Sequence, residues 1–234
     1  MQKPNGDKKE VLDFGFVRLV EYMGSDLSIV RNARVSYDAE WRTGDDKGKD
    51  EKLLRYMLKN KHTSPFESLA MTFEVKLPIF VARQWMRHRT FSFNEVSARY
   101  AELPEEMYTP DPVLVGTQSK DNKQMRVMTS SEDLNMNKKL VSLLEEQNKS
   151  SYKTYQILLT NGMPRELARS VLPLGIYTHF FCTVDLHNLF HFLKLRLHEH
   201  SQYEIRVYAE EILEIVKQIA PVSAQAFEDF VLEK

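Results

Sequence analysis

The order of apolar and polar residues along the chain predicts a mixture of strands and helices. Short apolar or alternating stretches are typical of strands, and they cover residues 11–22, 69–77 and 174–184, with a short strand or extended loop at 91–100. Stretches with apolar residues three and four positions apart predict helices. These cover residues 27–37, 53–62, 78–89, 130–161, 164–173, 186–200 and 201–216, followed by a last apolar segment at 226–232.

Several of these helices have recognisable first residues. Ser25 or Asp26 can cap the first of them, and Pro78 suits a first helical position. Asp185 can cap the helix at 186–200. Ser201 with a glutamate three residues later has the spacing of a capping box for the next helix.

Two helices carry informative apolar surfaces. The long helix at 130–161 has a broad apolar stripe, which predicts core packing rather than a coiled coil; its members are Leu140, Val141, Leu144, Tyr152, Tyr155 and Leu159. The helix at 186–200 is apolar nearly all round, which predicts burial. Arg196 lies in that helix among leucines, and a buried charge must find an anion or an acceptor.

Three polar segments are predicted to be irregular. Residues 1–10 are expected to be loose, and the charged residues 43–52 are expected to form a solvated turn. Residues 101–131 form a long loop rich in proline, and loops of this length often cover sites or partners. The pattern does not decide between a lid, a subunit contact and disorder.

Composition narrows the class of protein. A chain of 234 residues with a net charge of −1 is consistent with one domain over residues 1–234, and it indicates neither a nucleic-acid partner nor a membrane partner. No apolar run reaches the roughly twenty residues of a membrane span. The single cysteine, Cys182, excludes an intrachain disulfide and favours the cytoplasm. Its aromatic neighbours predict a buried, inert thiol.

The candidate chemistry concentrates between residues 84 and 100. Arg87, His88, Arg89 and Arg99 lie close together there, with Ser92, Asn94 and Ser97 between them. Arginine makes planar, two-pronged contacts with phosphate and carbonyl edges, and the short side chains add neutral donors. The stretch predicts a cradle for a small anion beside a flat ligand that forms hydrogen bonds.

The residues from Arg87 to Tyr100 match every fixed position of RHRxxSxNxxSxRY, and the chain thereby resembles the flavin-dependent thymidylate synthases. The signature is long and chemically mixed, so a chance match is improbable. The resemblance extends over nearly the whole chain. It implies an α+β domain with a central, mainly antiparallel sheet packed against long helices.

The resemblance also implies a reaction and its participants. The substrate dUMP would be reductively methylated to dTMP, with methylenetetrahydrofolate as the carbon donor, FAD as the cofactor and NADPH as the reductant. The mechanism needs no protein thiolate. The resemblance further implies a homotetramer whose active sites are shared between subunits.

Site residues follow from the same resemblance. Arg196 is the implied catalytic residue, which polarises the uracil ring. The implied dUMP ligands are Gln84, Trp85, Met86, Arg87, Glu95, Val96, Ser97, Ala98, Arg99, Arg169 and Arg196. The implied FAD ligands are Ser64, Arg87, His88, Arg89, Glu95, Asp185, Leu186, His187 and His191. His62 and Glu67 line the implied flavin and folate pocket, and Ser36 lies near the flavin.

Some of these assignments have a plainer alternative. The basic triplet 87–89 alone is also typical of a solvated helix C-terminus, where cations are favoured. Ser36 is also consistent with a simple helix-end serine, and residues 62–67 with a helix-to-strand turn. Asp185 stands where the family often has asparagine, and an acidic side chain there would repel the pyrophosphate of the cofactor.

Other classes of function were weighed against this one. His187 and His191 have the spacing of metal ligands, but the helix lacks the glutamate of a zinc-protease motif, so no metal is expected. A nucleic-acid binder with arginines and stacking aromatic side chains is a second reading, and the near-neutral net charge argues against it. A noncatalytic flavoprotein sensor is a third.

Overall fold

A single antiparallel sheet forms the centre of the molecule. The computed structural model describes residues 6–44, 48–123, 125–127 and 134–232. Within these, a five-stranded sheet has the order β1-β2-β3-β7-β4, and every neighbouring pair is antiparallel. The strands are β1 (Lys9–Val11), β2 (Gly15–Met23), β3 (Ala70–Pro78), β4 (Ser92–Glu95) and β7 (Tyr177–Asp185). A separate small ribbon pairs β5 (Thr117–Gln118) with β6 (Arg126–Val127). The mainly antiparallel sheet expected from the sequence is confirmed.

Helices of very different lengths surround this sheet. The α-helices are α1 (Asp26–Val35), α2 (Lys49–Lys59), α3 (Ile79–Trp85), α4 (Leu134–Thr160), α5 (Arg165–Ala168), α6 (Leu186–Arg196), α7 (Tyr203–Ile219) and α8 (Pro221–Phe230). Short 3-10 helices cover Glu40–Arg42, Ser64–Ser68, Pro112–Leu114 and Arg169–Val171. The amphipathic pattern therefore predicted the helices well in number and order.

Trp85 lies at the centre of the core, where α3, α6 and α7 meet the sheet. Its side chain is fully buried and stacks on Phe192 of α6 with ring centroids 4.6 Å apart. Phe180 of β7 and Tyr208 of α7 pack edge-on against the same indole. Large aromatic side chains contribute much of the apolar burial that stabilises a core, so this cluster fixes α3 and α6 relative to the sheet.

The topology brings the C-terminal ends of α3 and α6 together. The helix α3 follows β3, and α6 follows β7. Since these strands are antiparallel, with Ala70 opposite Asp185 and Pro78 opposite Tyr177, the two helices begin at opposite ends of the strand pair. Hydrogen bonds from Arg196 to Gln84 show that their last turns meet.

Two segments that were expected to be irregular contain regular structure. The strand β1 begins at Lys9, within the predicted loose segment 1–10, because its backbone pairs with β2. The predicted strand 11–22 is divided by a turn in which Leu12 has a φ of 60°. The helix α2 begins at Lys49, within the predicted turn 43–52, and the Asp50 carboxylate accepts a hydrogen bond from the Gly44 backbone. Residues 1–5 and 45–47 lie outside the described part of the chain.

The boundaries of α3, α6 and α7 also differ from the predicted ones. The helix α3 ends at Trp85 instead of residue 89, and α6 ends at Arg196 instead of residue 200. The capping box predicted at Ser201 does not form: Gln202 is the residue that precedes α7, and Glu204 bonds to other side chains. Asp185 caps α6 as expected, because its carboxylate accepts from the backbone N–H of Asn188 at 2.9 Å.

The long loop and the long helix also differ from expectation. Segment 101–127 contains a bridge from Met107 to Ile176 as well as β5 and β6, so its described part is ordered and packed on the domain. The helix α4 buries Val141 and Tyr155 but leaves Leu140 and Leu144 exposed, since only part of its apolar stripe faces the domain. The predicted start of this helix lies outside the described residues.

Gly15 is the site of a stability prediction. A Cβ at this position would lie 2.0 Å from the hydroxyl of Tyr208 and 2.6 Å from the carbonyl oxygen of Val11. We predict that Gly15→Ala lowers the free energy of unfolding by roughly 1–3 kcal/mol through overpacking. Gly175→Ala is the control, because its Cβ would meet its nearest neighbour at 3.8 Å. Chemical denaturation of both variants tests this, and equal effects would contradict it.

Candidate active site

Arg196 occupies the junction between the last turns of α3 and α6. Its guanidinium is half-buried and donates to three neutral acceptors. The Nε donates to Nε2 of His88 at 3.0 Å, and Nη2 donates to the backbone oxygen of Gln84 at 3.1 Å. The Nη1 reaches the side-chain oxygen of Gln84 at 3.5 Å. The planar fork is thereby oriented by three separate contacts.

The positive charge of Arg196 has no carboxylate partner in the described part of the chain. Salt bridges form there around many other charged side chains, and none of them includes Arg196. Burial lowers the pKa of Arg196, but a guanidinium stays protonated in proteins. A charge that is half-buried and balanced only by neutral acceptors favours an anionic ligand, or one that develops negative charge.

The hydrogen bond to His88 defines the state of that imidazole. Burial, reinforced by the charges of Arg196 and His191, lowers the pKa of His88 to about 4. A neutral ring accepts at one nitrogen and donates at the other. Because Nε2 accepts from Arg196, the proton of His88 resides on Nδ1.

A cavity beside this junction contains several of the predicted nucleotide ligands. Its volume is about 270 Å³. Its lining includes five of them, namely Met86, Glu95, Val96, Ala98 and Arg169. Arg83 also lines it and was not predicted. The carboxylate of Glu95 accepts a hydrogen bond from the hydroxyl of Thr178 on β7, so β7 orients this side chain.

Arg99 and Arg169 lie near one another through Glu166. The Arg99 guanidinium is 3.6 Å from the Glu166 carboxylate, and both side chains are more than half exposed. The Arg169 Nε reaches only the backbone oxygen of Glu166, at 3.4 Å. Exposed pairs of this kind contribute little free energy, so both guanidinium groups can exchange these contacts for a phosphate at small cost.

Two larger cavities adjoin each other, one of them against α6 and the other beside α1 and α2. The first, of about 550 Å³, is lined by the cationic side chains of Lys59, Lys61 and Lys194, by His187 and His191, and by the apolar wall of Phe66 and Phe190. The second, of about 870 Å³, contains the predicted residues Ser36, His62 and Ser64. Lys61 and Thr63 line both cavities, which are therefore continuous along one surface.

The lining of these two cavities fits a dinucleotide cofactor. A flavin dinucleotide carries an anionic pyrophosphate and a flat, largely apolar ring. The three lysines supply positive charge, and Phe66 and Phe190 supply an apolar surface. His88 lies near this groove, because its ring centroid is 6.3 Å from that of His191.

Some predicted ligands have side chains that face elsewhere. Trp85 and Leu186 are completely buried in the core, and the backbone N–H of Leu186 donates to the carbonyl of Leu69, so the single chain presents neither residue to a ligand. Both carboxylate oxygens of Asp185 accept from Asn188, which engages the acidic group in helix capping. Arg87 and Arg89 are exposed beyond the end of α3, and Glu67 is exposed without lining either large cavity.

The sequence analysis missed several side chains near the site. The lysines of the 550 Å³ cavity come from α2, the following turn and α6, and no local motif connects them. Gln202 and Glu204 were assigned to a capping box. A signal for Glu204 does exist in the sequence, because helical spacing places it on the same face of α7 as Tyr208 and Ile212, which are buried.

These features together define a class of protein. An antiparallel α+β domain carries an uncompensated arginine at the α3–α6 junction, a small cavity lined by two further arginines and a larger cationic groove, a combination that suits the binding of anionic nucleotides. Among the described residues, no group of three or more histidine, cysteine, aspartate or glutamate side chains could hold a metal ion. None of the described helices has the length and apolarity of a membrane span.

Comparison with known proteins identifies the family. Residues 18–222 match the family model described as thymidylate synthase complementing protein. The chain is 49% identical over 94% of its length to a flavin-dependent thymidylate synthase of Treponema denticola, of which it covers 81%. It is 49% identical over 95% of its length to that of Thermus thermophilus, of which it covers 79%.

A solved structure gives the same result for the fold. The UMP/dUMP methylase PolB of Streptomyces cacaoi, bound with 5-Br dUMP, superposes with a TM-score of 0.84 at 37% identity, covering 95% of this chain and 98% of that one. The chain therefore belongs to the family of flavin-dependent thymidylate synthases, and it is an enzyme. The resemblance drawn from residues 87–100 is confirmed.

The lowered pKa of His88 predicts a dependence of stability on pH. The folded protein resists protonation of this ring down to pH of about 4, whereas the unfolded chain binds the proton near pH 6.5. The contribution of neutral His88 to the free energy of unfolding is therefore fully present above pH 6.5, and it is lost as the pH falls toward 4. We predict that the pH slope of unfolding in this window is smaller in His88→Gln, which keeps an acceptor for Arg196 but does not titrate. Denaturant titrations of both flavin-free proteins measure the slopes, and equal slopes would contradict the assignment.

Proposed function

We propose that this chain catalyses the reductive methylation of dUMP to dTMP, with methylenetetrahydrofolate as the carbon donor and NADPH as the reductant. FAD is the proposed form of the flavin. When bound, FAD would supply hydride-transfer chemistry, and NADPH would be the source of the hydride that completes the methyl group. The family membership supports the reaction, and one observation in the site carries the assignment of roles.

That observation is the uncompensated charge of Arg196. A uracil ring placed against Arg196 meets a positive charge that Gln84 and His88 already hold in a fixed orientation. Preorganised charges of this kind stabilise negative charge that develops in a transition state, because no reorganisation is needed when it forms. Arg196 is therefore the proposed catalytic residue, and Gln84 orients it while contacting the nucleotide.

The nucleotide phosphate is proposed to bind where Arg99 and Arg169 converge. Ser97 supports this position, since its hydroxyl accepts from the Arg99 backbone at 3.3 Å and so shapes the turn. Backbone N–H groups of residues 95–99 add donors. The remaining proposed dUMP contacts are Trp85, which is fully buried in the single chain, and the residues Met86, Arg87, Glu95, Val96 and Ala98. All of these except Trp85 and Arg87 line the cavity of about 270 Å³.

The flavin is proposed to lie along the two adjoining cavities of about 550 Å³ and 870 Å³. His187 and His191 line the first of these, and His62 and Ser64 line the second. Arg87, His88, Arg89 and Glu95 complete the proposed set from the α3–β4 side. Asp185 and Leu186 stay in the proposed set, although the Asp185 carboxylate bonds to Asn188 and the Leu186 N–H donates to the carbonyl of Leu69. Glu67 stays a proposed member of the folate pocket.

A homotetramer is the proposed assembly, and the surface of α4 supports it. Leu140, Leu143 and Leu144 expose 48%, 61% and 42% of their surface on this helix, and Met136 and Ile157 are also more than half exposed. Several large apolar side chains exposed together on one helix support a protein contact at this surface. Arg87 and Arg89 face solvent in the single chain. In a site shared between subunits, they would contact a ligand held by a second subunit. The cytoplasm is the proposed compartment, in which the buried thiol of Cys182 needs no oxidised partner.

Turnover tests the proposal directly. Purified enzyme with FAD, NADPH and methylenetetrahydrofolate is expected to form dTMP from dUMP. We predict that Arg196→Ala lowers kcat by roughly 10²–10³-fold, as for loss of a preorganised donor to a developing charge, while flavin absorbance is retained after desalting. Arg18→Ala removes a half-buried arginine that pairs with Glu74 on the sheet and lines none of the three cavities, and it is the matched control.

The outcomes separate the alternatives. Flavin retention without dTMP formation would indicate a sensor, and salt-dependent binding of an oligonucleotide without flavin would indicate a nucleic-acid binder. UMP is assayed in parallel, because the Streptomyces relative acts on both nucleotides by its description. Normal dTMP formation by Arg196→Ala would remove this residue from the mechanism.

The α4 surface gives a prediction on assembly. Leu140→Lys places a charge within the exposed apolar stripe and is expected to reduce the molecular mass in solution below that of a tetramer. Leu27→Lys is the control, because Leu27 has the same 48% exposure but lies on α1. Light scattering of both variants measures the mass. An unchanged tetramer in Leu140→Lys would place the contact surface elsewhere.

A further inference from the structure

A line of polar side chains runs from Arg196 away from the proposed ligand cavities. Arg196 Nη1 reaches the side-chain oxygen of Gln84 at 3.5 Å. The amide nitrogen of Gln84 donates to the side-chain oxygen of Gln202, and the amide nitrogen of Gln202 donates to Glu204 at 2.8 Å. Four side chains from α3, α6 and the start of α7 thus form one continuous chain of hydrogen bonds.

The direction of these hydrogen bonds is set by the two ends of the chain. A guanidinium only donates, and an ionised carboxylate only accepts. Gln84 must therefore turn its oxygen toward Arg196, and Gln202 must turn its nitrogen toward Glu204. The bond between the two amides then has only one consistent direction, from Gln84 to Gln202, so neither amide can flip without placing like atoms against each other.

The carboxylate of Glu204, at the end of this chain of hydrogen bonds, is buried and accepts several hydrogen bonds. It is 1% exposed, and its other oxygen accepts from the hydroxyl of Tyr108 at 3.0 Å and from Arg126 at 2.9 Å. A buried carboxylate without partners would be very costly, and here three donors satisfy it. Burial, reinforced by Glu204, raises the pKa of Tyr108, so its hydroxyl remains a donor.

Tyr108 and Arg126 both belong to the segment between residues 101 and 131. The segment therefore reaches Glu204 through Tyr108 and Arg126, and it also lines the cavity proposed for the nucleotide with Leu103. Arg126 also lies over the ring of Tyr203 at 5.7 Å, which fixes the guanidinium from a second side. The sequence pattern did not decide the role of residues 101–131. These contacts indicate that the segment stabilises the first turn of α7.

We infer that Gln202 and Glu204 are positioning residues of the active site, which orient Gln84 and, through it, the guanidinium of Arg196. This inference rests on the proposed function, because it concerns the alignment of Arg196 with the uracil ring. Neither residue lines the cavity proposed for the nucleotide. Their substitution is expected to change the catalytic step more than the binding of dUMP.

A double-mutant cycle between Gln202 and Gln84 tests the inference. Gln202→Met keeps the length of the side chain and removes its hydrogen bonds. We predict that it lowers kcat by about tenfold, equivalent to roughly 1.4 kcal/mol of activation free energy, and changes the calorimetric dissociation constant of dUMP by less than about threefold. In a Gln84→Met background the same substitution is expected to lower kcat by less than about twofold, because residues acting through one route are not additive.

Glu204→Gln and a control keep structural damage apart from positioning. Glu204→Gln retains the shape but lets both amides flip, so a loss of kcat similar to that of Gln202→Met is expected. Asp26→Asn alters a carboxylate that also accepts three hydrogen bonds, from Val222 and Ser223, and these three residues line none of the proposed ligand cavities. It is expected to lower the unfolding temperature without changing kcat. Should Gln202→Met fail to fold, Gln202→Asn shortens the chain of bonds while keeping the polar group.

The outcomes distinguish the inference from the function on which it rests. Wild-type protein that forms no dTMP would contradict the proposed function. Active wild-type protein, an inactive Arg196→Ala variant and an unchanged kcat in Gln202→Met would overturn the positioning role alone. Effects of Gln202→Met and Gln84→Met on kcat that simply multiply would also overturn it, because they would show that Gln202 acts independently of Gln84.

Discussion

The positive charge of Arg196, held by neutral acceptors only, is the constraint on which the described site depends. A carboxylate beside it would neutralise the charge and compete with the substrate. The imidazole of His88 and the amide of Gln84 orient the guanidinium without cancelling its field. The free protein therefore bears the cost of a half-buried charge, and a ligand that develops negative charge recovers it. In the proposed reaction, this arrangement would favour a transition state that develops negative charge over the ground state.

The core explains how so short a helix as α3 can hold its end of this arrangement. The helix has seven residues, and helices of this length are not stable alone. The stack of Trp85 on Phe192 joins it directly to α6, one turn before Arg196. Trp85 thereby fixes the residues on either side of it in the sequence. Gln84, before it, contacts Arg196, and the basic triplet 87–89, after it, is exposed. Packing and polar contacts at this junction are therefore parts of one structure.

Local sequence predicted the strands β2, β3, β4 and β7, most helices and the motif at residues 87–100, because alternation and helical spacing are properties of neighbouring residues. It did not predict where α3 and α6 end. Both ends depend on hydrogen bonds between residues more than a hundred positions apart, such as that from Arg196 to the carbonyl of Gln84. The same reason applies to Glu204, whose spacing from Ser201 fitted a capping box while its partners, Tyr108 and Arg126, come from a distant segment. The two flavin-side cavities also draw their lysines from separate elements, and no local pattern joins them.

The state of the His88 ring tests the central claim most directly. If Arg196 is held by neutral acceptors, the ring of His88 is neutral at pH 7 with its proton on Nδ1, and its Nε2 is unprotonated. Nitrogen-15 NMR of the histidine side chains, with His88 assigned by the signal that disappears in His88→Gln, reports both features. We expect an Nε2 resonance typical of a hydrogen-bond acceptor and no titration of this ring until pH approaches 4. A proton on Nε2, or a charged ring at pH 7, would contradict the claim, because that nitrogen could not then accept from Arg196.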